Sequence, residues 1–117
     1  MVHELVKNFI DERIQFCSII ERVDAKDLNN FDVIKFEAGL KTLRAIKSEI
    51  DTVGVISIEN RKWLVDFVEG CLSLNIKQQK IMGSFFPENP SGLERHKETQ
   101  ARLINDEQLF KVIMIHI

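Results

Sequence analysis

Apolar residues recur at three- and four-residue steps through the first stretch of the chain, at Val2, Leu5, Val6, Phe9, Ile10, Ile14, Cys17 and Ile20. Glu4, Lys7, Asp11, Arg13 and Glu21 fall on the other side, so the pattern predicts an amphipathic helix from Val2 to Val23. Residues 24–30 are then crowded with Asp, Asn and Lys, whose side chains compete for backbone hydrogen bonds and favour a turn or cap. A second helix is expected from near Asn30 to about Asp51, with Val33, Phe36, Leu40, Leu43, Ile46 and Ile50 as its inward stripe.

The segment TVGVISI, residues 52–58, interrupts this period, because Gly54 lowers helix propensity and the β-branched residues around it suit an extended backbone. Ser57 can cap a third helix, with Glu59 at the positive end of its dipole. Leu64, Phe67, Val68, Cys71, Leu72 and Leu74 read as its buried face, and Gly70 or Asn75 as a place for it to bend or end before Gly83. Residues 83–92, GSFFPENPSG, hold both prolines and form the one long loop. From Ser91 onward Leu93, Leu103, Phe110, Met114 and Ile117 keep helical spacing, with Asn105 and Asp106 able to cap a further helix.

The fold class predicted is therefore all-α, a single domain over residues 1–117 built as an antiparallel bundle of four helices, or five if the last one divides. A competing reading is α+β. The closing run KVIMIHI, residues 111–117, is β-branched enough to pair with 52–58 as a small two-stranded sheet.

Composition narrows the functional classes. A chain of 117 residues, 44% hydrophobic and 29% charged, is rich enough in apolar residues to build one core. A net charge of -2 gives no global field to draw it to nucleic acid or an anionic membrane. Cys17 and Cys71 are too few for a disulfide framework, Glu4, Lys7, Asp11 and Glu12 break any leader-like run, and no apolar stretch approaches membrane-spanning length. A cytoplasmic location without membrane attachment is the expectation.

No frame for catalysis stands out: the chain lacks a phosphate-binding glycine loop, a nucleophile elbow and the paired histidines of a zinc helix. His96 and Glu98 mimic part of a zinc-deaminase pattern whose cysteine half is missing. The histidines His3, His96 and His116 read as surface or end-capping residues, and Asp66 with Glu69 as part of a solvated charge ladder with Lys62 and Glu59. No catalytic residue, metal ligand or cofactor is expected.

Two apolar anomalies point to contact instead. Phe85 and Phe86 stand together beside Pro87 in an otherwise polar loop, and the run containing Phe110, Ile113, Met114 and Ile117 is apolar where chain ends are commonly polar. These six residues are the candidate partner-binding set, for a protein partner or a second copy in a homodimer. The function expected is a non-enzymatic interaction module, such as a small regulator, inhibitor, immunity-type protein or adaptor. A nucleic-acid-binding regulator is the alternative, using Lys35, Lys41, Arg44 and Lys47 as a polyanion site and the NIKQQK segment, residues 75–80, for base edges.

Overall fold

The computed structural model describes the backbone of residues 2–21 and 30–117 and the side chains of 2–16 and 38–117. Over these residues the fold is all-α, with four helices: α1 (Glu4–Glu21), α2 (Asn30–Val53), α3 (Ile58–Gly83) and α4 (Pro90–His116). The turn expected at 24–30 and the side chains of Cys17, Ile20, Val33, Lys35 and Phe36 lie outside the described residues.

The two-stranded sheet is not formed. Thr52 and Val53 close α2, and residues 111–116 complete α4. Gly54 explains the first outcome: it takes φ +82°, the left-handed conformation that glycine reaches without a Cβ clash, and its N–H donates to the Ile50 carbonyl at 2.9 Å. The helix is thus capped within the residues that would have formed the strand. For 111–116, the preceding turns of α4 propagate through the β-branched run, whose small intrinsic helix penalty is outweighed by burial of Ile113. Asn105 and Asp106 do not divide α4, and Gly70 and Asn75 do not end α3.

Two compact units are distinguished, the first of residues Met1–Lys62 with His116 and Ile117, the second of Trp63–Ile115. In the first unit α1 packs on α2 through Val6, Phe9 and Ile10 on one side and Leu40, Leu43, Ile46 and Ile50 on the other, all buried, with Ile56 added from the linker. Asp11, early in α1, meets Lys47, late in α2, at 2.8 Å, as antiparallel helices allow. His3 caps α1, its Nδ1 accepting from the Leu5 N–H at 3.1 Å, and its ring stacks on that of His116 at 4.0 Å.

Ser57 caps α3 as its hydroxyl chemistry suggests, Oγ accepting from the Asn60 N–H at 3.3 Å. Glu49 reaches back from α2 to accept from the Ser57 N–H and from Asn60 Nδ2, fixing the short linker to the helix before it. No described helix is long and apolar enough to cross a membrane.

The second unit has a smaller apolar core, of Leu64 and Val68 from α3 and Leu103, Phe110 and Ile113 from α4. Two polar residues complete it, Asn75 and His96.

Candidate protein-interaction surface

The loop between α3 and α4 is set by the start of α4. Asn89 caps that helix: its Oδ1 accepts from the Gly92 N–H at 2.5 Å and its carbonyl from the Leu93 N–H at 2.9 Å. Pro90 follows at the first helical position, where a missing N–H costs nothing. Gly92 is dictated by crowding, since a Cβ there would lie 2.7 Å from Asn89 Oδ1 and 3.0 Å from Pro87 Cβ. Cap, proline and glycine together fix where the loop enters α4 and bring Pro87 close to Gly92.

This arrangement places the two phenylalanines around His96. The Phe85 ring meets the imidazole edge-on with centroids 6.3 Å apart, and the Phe86 ring is tilted against it at 5.4 Å. Both phenylalanines nevertheless remain largely in solvent, 61% and 66% exposed, while His96 is only 3% exposed. Among the described residues, neither ring nitrogen of His96 has a hydrogen-bond partner. Each ring nitrogen of an imidazole is a hydrogen-bonding group, so both are unmet beneath two exposed aromatic rings.

The rest of the predicted set is dispersed. Phe110 and Ile113 are buried, which corrects their assignment to a contact surface: helical periodicity turns them toward the core, and the exposed apolar residues of the same run are Val112 and Ile115. Met114 is half-buried, and so is Ile117, which belongs to the other unit. Only Phe85 and Phe86 of the six project well into solvent.

Of the four basic positions on α2, three have described side chains, Lys35 lying outside them. Lys41 and Arg44 are exposed, but Lys47 is bound to Asp11, and this pairing raises the lysine pKa above its ordinary value of 10.5. In residues 75–80 two of the base-reading side chains are engaged: Asn75 is buried with Nδ2 donating to the Leu103 carbonyl at 2.9 Å, and Gln79 Nε2 donates to Asn75 Oδ1 at 2.6 Å and Glu107 Oε1 at 3.3 Å, while Lys77, Gln78 and Lys80 are exposed. No family model, curated protein or solved structure matches the chain.

Sequence reasoning placed His96 on the surface, and the structure corrects this. The missed signal is spacing. His96 precedes Leu103 by seven residues and Leu103 precedes Phe110 by seven, so all three share one helix face. Leu74 was expected on the buried face of α3, but it is exposed, and Asn75 turns inward in its place. The apolar residues of this helix span a wider arc than one packing contact covers.

Proposed function

We propose that the protein is a non-enzymatic interaction module of the cytoplasm, a small regulator, inhibitor or adaptor that acts by contact with a protein partner. The observation that carries this reading is the Phe85–Phe86 pair held open around an unsatisfied His96. Aromatic rings supply much of the free energy of protein contacts, and burying both would remove a large apolar area from water at roughly 25 cal/mol per Å². A loop pinned by an Asn89 cap and Pro90 is already ordered, so little conformational entropy is lost when a partner covers it.

The test is affinity capture from extract of the source cells with the native chain and with a Phe85→Ser/Phe86→Ser variant. A defined partner retained by the native chain and lost with the variant is expected. Retention of the same proteins by both chains, with helical content unchanged, would overturn the reading.

A further inference from the structure

The face of α3 turned away from Leu64, Val68 and Asn75 has a pattern of its own. Trp63, Phe67, Gly70, Leu74, Lys77 and Ile81 follow one another at steps of four, three, four, three and four, the spacing of a coiled-coil seam. Leu74 is 57% exposed and Ile81 65%, Gly70 is exposed with nothing near the place of a Cβ, and Trp63 and Phe67 are half-exposed and stacked on each other at 5.1 Å. The seam runs for about 27 Å at the helical rise of 1.5 Å per residue. All six residues belong to one unit.

We propose that this seam is the interface of a homodimer, in which α3 pairs with α3 of a second copy in the antiparallel sense about a two-fold axis near residue 72. The choice of a second copy follows from the sequence of the seam read against itself in reverse. About that axis Trp63 faces Ile81 of the other copy, Phe67 faces Lys77, and Gly70 faces Leu74. Large therefore meets small at the centre, where the missing side chain of Gly70 makes room for Leu74, and the single lysine meets an aromatic face, a cation–π pairing.

Charge agrees with the same register. Asp66 and Lys80 flank the seam on one side, both exposed, and the reversed pairing brings Asp66 of each copy beside Lys80 of the other. A parallel arrangement in register would stack Lys77 on Lys77 at the core of the seam and leave a void at Gly70. Exposed rim charges of this kind set register and orientation more than they add affinity. The inference does not depend on the Phe85–Phe86 loop, whose residues take no part in the seam.

The test is sedimentation equilibrium of the full chain over a wide concentration series, with far-UV circular dichroism to follow helix content. The native chain should approach twice the 13.6 kDa chain mass. Leu74→Asp should be monomeric with unchanged helicity, because Leu74 is 57% exposed and lies outside the buried core. Asp66→Lys should weaken association by about tenfold or more, since it sets two symmetric pairs in repulsion. Asp66→Lys/Lys80→Asp should restore it. A native chain that stays monomeric throughout, a dimer indifferent to Leu74→Asp, or a double reversal no better than Asp66→Lys would each overturn the proposal. Phe85→Ser/Phe86→Ser should remain dimeric, so failure of partner capture and failure of dimerisation are separable.

Discussion

Replacing His96 by phenylalanine should make the fold more stable. Each buried polar atom left without a partner costs about 1–3 kcal/mol, and His96 has two such nitrogens, neither bonded to a described residue. Phenylalanine removes both and keeps a ring against Phe85 and Phe86, so the aromatic contacts at 6.3 and 5.4 Å persist. The larger ring must fit a slot shaped for a five-membered one, and overpacking of this kind costs about 1–3 kcal/mol. Two such atoms cost about 4 kcal/mol and overpacking about 2 at the middle of each range, so the balance favours the variant by about 2 kcal/mol, or several degrees in Tm for a chain of this length.

Thermal unfolding at neutral pH, followed by circular dichroism, measures the shift. Comparison with His96→Gln separates the two contributions, because glutamine retains a donor and an acceptor in the same buried place and should gain nothing. If His96→Phe unfolds at a lower temperature than the native chain while His96→Gln matches it, the imidazole nitrogens are satisfied and the reasoning fails. A gain in stability accompanied by weaker partner binding would instead mark His96 as a polar group kept at a cost for the contact it serves.

Other outcomes follow from the same geometry. Asn75→Ala removes the bond to the Leu103 carbonyl and a partner of Gln79, and should lower stability by about 1–3 kcal/mol in denaturant unfolding; Asn75→Asp should be worse, since it sets a buried carboxylate against that carbonyl. Asn89→Ala should cost about 1 kcal/mol through loss of the α4 cap, and Gly92→Ala should cost a similar amount by displacing Asn89 Oδ1. The Asp11–Lys47 pair raises the lysine pKa, so its stabilisation is complete below pH 10.5 and is lost as pH rises through the folded-state value. Unfolding across that alkaline window should show a small native-state loss, reduced by added salt and missing in Asp11→Asn.

The helices were legible where one face alone is apolar. In α2 the inward stripe of Leu40, Leu43, Ile46 and Ile50 is wholly buried, as its period implies, and Ser57 caps α3 where a hydroxyl before an acidic first turn suggests. In α3 the period misled, because apolar residues occupy two faces and nothing local says which one the core takes. Asn75 wins the inward place over Leu74 through a bond to a carbonyl 28 residues away, a partner that only tertiary structure supplies. His96 was hidden for a related reason: hydropathy scores an imidazole as polar, whereas its seven-residue offset from Leu103 decides its position. The Phe85–Phe86 loop was singled out by composition alone, but its junction with α4 is set by the Asn89 cap and the crowding at Gly92.

The two proposed contacts reinforce one another in a way that can be measured. The loop carrying Phe85 and Phe86 leaves α3 just beyond Ile81, the last residue of the seam. An antiparallel pairing centred near residue 72 would therefore set the two loops at opposite ends of the paired helices, about 36 Å apart at 1.5 Å per residue. A dimer of this form presents two identical aromatic handles and engages a partner with two sites, or a surface-bound partner, with the gain of an intramolecular second step. Leu74→Asp should then dissociate from an immobilised partner at least about tenfold faster than the native chain, while its affinity for the same partner free in solution as a single site is unchanged. Equal dissociation rates on the surface would mean that the loops act singly, even if both contacts exist.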